Sequence, residues 1–193
     1  MIRLDYAIIA DIIEPGAKVL DLGCGNGELL ALLKEKKGCR GTGIEISEHE
    51  VIVALERGVS IAQGDIDRDL DVYSDKRFDY VILNESLQQV LNIEKVLYEA
   101  LRVGKKVIVG IPNFCQLVAR FQIFFKGRVP VIKSLPYKWY NTPNLRFLSL
   151  KDFLDFCKEM GIKVDSARYF SGGKEIQALP NLLANAGIFV LSR

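Results

Sequence analysis

Apolar residues along this chain fall into short runs of two kinds, and the two kinds alternate. Continuous or period-two apolar stretches predict strands over 17–22, 40–45, 59–64, 78–83, 105–111, 162–169 and 186–192. Stretches of mixed apolar and polar residues between them predict helices over 4–14, 27–36, 48–57, 93–102 and 149–160. Local punctuation agrees with those bounds. Pro15-Gly16 stops the first helix, Gly58 ends the third, Gly104 follows the fourth, and Ser149 and Gly161 bracket the last. Strands that alternate with helices argue for an α/β fold with a mostly parallel, seven-stranded sheet and helices on both faces. No long helix separates the last two strands, so the sheet is expected to end antiparallel. The length of 193 residues fits one domain over 1–193, and no internal repeat is visible.

One junction in this pattern carries chemistry. Residues 19–27 read VLDLGCGNG, a strand running into Gly23, Gly25 and Gly27. Glycines at a strand-to-helix turn leave backbone free for a ligand to approach. Asp21 sits inside the apolar run, where a carboxylate is costly to bury without a partner. A dinucleotide-type loop needs glycine at position 28, but Glu28 stands there and would repel a pyrophosphate. No Gly-Lys-Ser or Gly-Lys-Thr follows, which removes the phosphate-loop reading. S-adenosylmethionine suits the loop better: it has no phosphate, and its sulfonium and amino group can meet Asp21.

Further acids lie at the following strand ends. Glu45 closes GTGIE, about 20 residues beyond the loop, where a carboxylate can accept both ribose hydroxyls. Ile46 can then pack on the adenine. Asp65 closes the third strand and can accept from the adenine amino group, with Ile66 flanking the ring. Asn84 and Glu85 follow the fourth strand. Cys24 is read as a small residue tolerated between glycines, with a nucleophilic role as the other possibility. Taken singly, each acid also reads as an ordinary strand-end or helix-capping group. Together, and in sequence order, they mark the ligand-binding end of a doubly wound sheet.

The segments VLDLGCGNG, GIEIS, QGDID and FDYVILNESLQ resemble the nucleotide-binding motifs of class I S-adenosylmethionine-dependent methyltransferases. LDYAIIADIIEPGAKVLDLGCGNGELL, LRVGKKVIVGIPNF and GRVPVIKSLPYKWYNTPNLRFLSLKDF resemble the methionine biosynthesis protein MetW family, and that likeness reaches to about residue 165. Residues 170–185 match no pattern. The resemblance implies a Rossmann-like methyltransferase fold and S-adenosylmethionine as cofactor. It places Asp21, Gly23, Cys24, Gly25, Gly27, Glu45, Ile46, Asp65, Ile66 and Asn84 around that cofactor. It also implies association with a homoserine O-acyltransferase. Two functions stay open: an S-adenosylmethionine-binding accessory protein of methionine synthesis, and a true small-molecule methyltransferase with an unidentified acceptor. For the second, Glu85, Asn113 and Tyr140 are the candidate catalytic residues.

Composition adds three points. The formal net charge is only +2, yet no acid occurs between Glu99 and Asp152. That interval holds ten basic residues, leaving 16 basic and 24 acidic residues elsewhere, a net of −8. Its insert, about 114–148, also carries Phe114, Phe121, Phe124, Phe125, Tyr137, Trp139 and Tyr140. A pocket for a small anionic substrate, a docking surface for a partner protein and a solvated basic face all remain open for it. Nucleic acid is disfavoured by a pI of about 8.3 and by the absence of a recognisable module. Cys24, Cys39, Cys115 and Cys157 are too scattered for a metal site and read as reduced thiols of a cytoplasmic protein. His49 reads as a solvated surface residue. No signal peptide or membrane span is visible.

Overall fold

The structure, a computed structural model, describes residues 3–132 and 134–193. Lys133, one of the ten basic residues noted above, and the first two residues lie outside that description. The elements run α1 (Leu4–Ile12), β1 (Lys18–Leu22), α2 (Glu28–Lys37), β2 (Arg40–Glu45), α3 (Glu48–Glu56), β3 (Ser60–Gln63) and β4 (Phe78–Asn84). After a short 3-10 turn, Leu87–Gln89, come α4 (Ile93–Val103), β5 (Gly104–Pro112), α5 (Leu117–Lys126) and α6 (Leu150–Glu159). The chain ends with β6 (Lys163–Ser171), β7 (Lys174–Glu175), α7 (Pro180–Leu183) and β8 (Ala186–Ser192).

All strands join one sheet in the order β3-β2-β1-β4-β5-β8-β6-β7. The first five in that order are mutually parallel. β8 inserts antiparallel between β5 and β6, as the missing helix before it predicts. The sheet has eight strands rather than seven, because the two-residue β7 folds back on the end of β6. The Rossmann-like fold expected of a class I methyltransferase is present.

Side-chain alternation divides the core between the two faces of the sheet. Leu20, Leu22, Val81, Leu83, Val107 and Val109 face a layer containing α4 and α6, centred on Phe153 and Phe189. Val19, Tyr80, Ile82, Ile108 and Ile188 face α1 and α2 through Ile8, Ile9, Leu29 and Leu33. By the same alternation, Asp21 and Asn84 belong to the α1–α2 side. No helix among the described residues is long and apolar enough to cross a membrane.

α6 starts where Ser149 predicts. The Ser149 hydroxyl accepts from the Asp152 N–H at 3.1 Å, and the Asp152 carboxylate accepts from the Ser149 N–H at 2.8 Å. This reciprocal cap satisfies two otherwise orphaned donors at a buried helix start. Ser149→Ala is expected to cost about 1 kcal/mol in urea denaturation, with an unchanged slope.

The order of strands places the switch point between β1 and β4. On one side the chain winds outward through β2 and β3, on the other through β5. Ligands of open parallel sheets bind in the crevice beyond the carboxyl ends of the strands at such a reversal. The loops leaving β1 and β4 are those that carry the glycines and Asn84-Glu85.

Candidate functional site

Asp21 is 3% exposed, and among the described residues no protein group donates a hydrogen bond to its carboxylate. Burial, and then the nearby charge of Glu45, pushes its pKa up to about 7. A buried acid with no partner is a standing electrostatic cost, and a cationic ligand removes it.

Glu45 is held in a different way. Its Oε2 accepts from the Gly25 N–H, and its Oε1 accepts from the N–H groups of Ile46 and Ser47, each at 2.9 Å. The carboxylate at the end of β2 therefore staples the glycine turn to the strand beside it. Two main-chain bonds reinforce the staple: the Gly23 and Cys24 N–H groups donate to the Ile44 carbonyl at 2.8 and 3.2 Å. Gly23 has φ +74°, and a Cβ there would stand 2.8 Å from that of Ser86, so no side chain fits. Gly25 differs. A Cβ on it would meet nothing within 4 Å, so the turn leaves open space there. Cys24 covers Gly43, whose Cβ would lie 2.3 Å from the Cys24 sulfur. Burial raises the Cys24 thiol pKa well above its usual value, which suits packing and not nucleophilic attack.

The opposite wall is built from the end of β4 and the start of α1. The Asn84 amide donates to Asp5 at 2.8 Å. Arg3 pairs with Asp5 through two nitrogens, at 3.1 and 2.7 Å, and reaches Glu85 at 2.7 Å. Its guanidinium lies 4.6 Å from the centre of the Tyr6 ring. Burial pushes the Tyr6 hydroxyl up to about 12, and Asp5, Glu28 and Asp21 are among the charges it feels. α1 therefore closes one side of the crevice. Glu85 adopts φ +60°, a strained value for a residue with a side chain. Ser86 donates to the Leu22 carbonyl at 2.7 Å and ties the β4 loop to the β1 loop.

Gln88 links this wall to the insert. Its amide nitrogen donates to the Glu85 carbonyl at 2.7 Å, which fixes the orientation of the amide. Its side-chain oxygen is buried without a partner. Its main-chain carbonyl accepts from the Leu145 and Arg146 N–H groups at 2.9 and 3.1 Å. The end of the insert is thus pinned over the loop leaving β4. Phe114 and Phe147 stack edge to face at 4.6 Å and close the insert at its base.

Other residues named from the sequence have different surroundings. Asp65 accepts from the Asp67 N–H at 2.9 Å, and its own N–H donates to Asp69 at 2.6 Å. It shapes a turn, with Arg68 at 3.6 Å. Ile66 packs against the core, whereas Ile46 is exposed. Asn113 is fully buried. It donates to the Asn181 and Ala184 carbonyls at 3.1 and 2.9 Å and accepts from the Cys115 N–H at 3.0 Å. With its hydrogen-bonding groups already engaged, Asn113 braces the segment before β8. Tyr140 stands exposed beside Trp139 and Lys138 in the outer loop. No hydrogen bond or ring contact among the described residues joins it to the strand ends. His49 lies on the surface, 3.6 Å from Glu50.

Sequence reasoning missed Arg3, Asp5, Tyr6, Ser86 and Gln88. Asp5 offered a signal, as one of two acids, with Asp11, in a largely apolar helix. Arg3 and Ser86 are polar residues of common types whose partners lie 82 and 64 positions away, and Tyr6 and Gln88 matter only through the walls those pairs build.

The profile of the family described as Methionine biosynthesis protein MetW matches residues 3–191. The bifunctional methionine biosynthesis protein MetXA/MetW of Rhodopirellula baltica is 33% identical over the whole of this chain. The chain spans only 33% of the length of that fused relative. A demethylmenaquinone methyltransferase of Shouchella clausii is 28% identical, over 83% of this chain and 77% of its own. Among solved structures, a SAM-dependent methyltransferase from Archaeoglobus fulgidus superposes with a TM-score of 0.71 at 16% identity, covering 98% of this chain and 93% of its own. That likeness concerns the fold.

Proposed function

The chain belongs to the methionine biosynthesis protein MetW family, and from that membership we propose that it binds S-adenosylmethionine at the β1–β4 switch point and serves methionine synthesis together with a homoserine O-acyltransferase. The observation that carries the ligand is Asp21, a carboxylate buried at a strand end with no cation to meet it among the described residues. A ligand bearing an ammonium and a sulfonium relieves that cost. A phosphorylated ligand adds to it, because Glu28 and Glu45 flank the same turn.

In this reading Asp21 holds the amino end of the ligand. Glu45 keeps lone pairs for the ribose hydroxyls while it staples the turn. Ile46 and Ile66 flank the adenine, and Asp65 takes its amino group. Gly23, Cys24, Gly25 and Gly27 supply the close backbone approach, and Asn84 borders the reacting end. The ligand, when bound, supplies an activated methyl group. The protein's part in any transfer is to orient the reactants and exclude water. Glu85 follows Asn84 in the chain, and it is engaged by Arg3 at 2.7 Å.

The partner rests on the relative in which a MetXA part and a MetW part share one chain. A second reading, methyl transfer to a small acceptor, is favoured by the likeness to demethylmenaquinone methyltransferases. One set of measurements addresses both readings. Calorimetric titration is expected to show one S-adenosylmethionine per chain, and the purified protein is expected to form a complex with homoserine O-acyltransferase. Incubation with methyl-labelled cofactor and cell extract separates the two functions. A labelled small product would install the second reading in place of the first. Failure of the wild-type chain to take up the cofactor would remove the ligand assignment altogether.

A further inference from the structure

The largest feature left unassigned lies outside the switch point. α5 buries one residue against the fold, Ala119. Phe124 and Phe125 are 82% and 70% exposed, and Leu117, Val118, Phe121 and Ile123 are exposed as well. The three phenylalanines pack on one another: Phe121 and Phe125 stack at 5.6 Å, and Phe124 meets Phe125 edge-on at 4.9 Å. The loop after α5 extends this surface through Val129, Val131, Tyr137, Trp139 and Tyr140, all exposed. Contiguous apolar area of this kind marks a binding face.

The face has relief as well as area. A groove of about 570 Å³ runs between Leu117, Val118 and Val131 on one side and Leu182 and Leu183 of α7 on the other. A second, of about 490 Å³, lies between Arg128, Val131 and the Lys138–Tyr140 stretch. Val131 borders both, so the two grooves adjoin on one face. Its surroundings are basic. Arg120, Lys126, Arg128 and Lys138 form no ion pair among the described residues, and no acid exists in the sequence between Glu99 and Asp152 to supply one. Other basic residues of the interval are spent elsewhere, Arg102 on Asp75 and Glu99, and Lys105 on Asp79.

We infer that α5 and the stretches 127–132 and 134–144 are the face that docks the acyltransferase partner, and that the partner meets it with apolar side chains rimmed by aspartate and glutamate. The inference rests on the partnership proposed above and adds where the two proteins meet and by what chemistry. Aromatic anchors beside arginine are the usual makings of a protein interface centre, with rim charges steering encounter. Two copies of this face would set like charges against each other, which disfavours self-association. A flat bilayer would leave the grooves unfilled, whereas protruding side chains occupy them.

The test titrates the full-length chain with purified homoserine O-acyltransferase at low and at moderate salt. The variant Phe121→Ser/Phe124→Ser/Phe125→Ser is expected to bind at least about 100-fold more weakly. Arg120→Glu/Arg128→Glu is expected to lose about tenfold at low salt, together with most of the salt dependence. Lys36→Glu, on exposed α2 surface, is expected to bind like the wild type. S-adenosylmethionine uptake by each variant reports intact folding, because α5 is not part of the switch point. Wild-type affinity in the triple variant overturns the docking face and leaves the partnership standing. Failure of the wild-type chain to bind the acyltransferase overturns both. Acyltransferase binding that survives the triple variant, while self-association or binding to anionic vesicles is lost, reassigns the face to that other occupant.

Discussion

Asp21→Asn is expected to abolish S-adenosylmethionine binding and, in the empty protein, to raise stability at neutral and alkaline pH. The two effects share one cause. In the folded chain Asp21 keeps its proton up to about pH 7, against an ordinary value of 3.8. Below about pH 4 the group is neutral in both states and costs nothing. Between about 4 and 7 only the unfolded chain ionises, so the folded state loses stability as pH rises. Above about 7 both states are charged, and the penalty stands at its full size of a few kcal/mol. The asparagine variant never ionises there and escapes that decline. Urea denaturation of the two proteins at pH 5 and pH 8 reads the difference, which should be small at the first and large at the second. For the ligand the sign reverses. A cationic group requires the carboxylate in its ionised form, so wild-type affinity should climb as pH rises towards 7 and level off above it. Near pH 6, calorimetry in buffers of different ionisation enthalpy should register proton release on binding. The asparagine variant should show neither affinity nor release. Comparable affinity in both proteins would mean that Asp21 does not meet the cation.

Much of this geometry was legible in the sequence where a residue's partners lie close along the chain. β2 occupies the stretch read from GTGIE, and Ser149 caps α6 as its type and position demand. The glycine turn and Glu45 are 20 residues apart and join through one parallel crossover, so spacing alone brings them together. Three things were not legible. α5 has the sequence LVARFQIFFK, apolar on nearly every side. Its apolar residues do not mark a core-facing side, because most of them are exposed. β7 and α7 are too short to leave a pattern. The wall made by Arg3, Asp5 and Tyr6 depends on Asn84 and Glu85, about 80 positions away, and on the fold that brings α1 to the switch point. The acid-free interval was plain in the sequence, but its meaning was not. Only the structure separates Arg102 and Lys105, paired beneath the sheet's other end, from the unpaired group around α5.

Glu45 is the residue whose two proposed tasks substitution can separate. Glu45→Ala removes the acceptor for three main-chain N–H groups, those of Gly25, Ile46 and Ser47. Hydrogen bonds to a charged acceptor are each worth about 1.5–3 kcal/mol, and water reaches this partly exposed site to recover part of the loss, so a net cost of about 3 kcal/mol is expected. Glu45→Gln keeps one carbonyl oxygen for Ile46 and Ser47 but turns its amide donors towards the Gly25 N–H. It should cost about 1 kcal/mol and loosen the glycine turn at one point. Both variants also remove the charge that helps to raise the Asp21 pKa, so the pH midpoint of binding should fall below that of the wild type wherever binding can still be measured. If the same carboxylate holds the ribose, affinity falls in steps: roughly tenfold or more for glutamine, and at least 100-fold for alanine. If Glu45 only staples the turn, glutamine binds as tightly as its small stability loss allows, and an analogue lacking the ribose hydroxyls suffers equally in wild type and variant. Titration of the three proteins with S-adenosylmethionine and with its dideoxy-ribose analogue distinguishes these outcomes. A non-additive loss across that cycle places the hydroxyls against Glu45, because removing either partner first leaves nothing for the second removal to break.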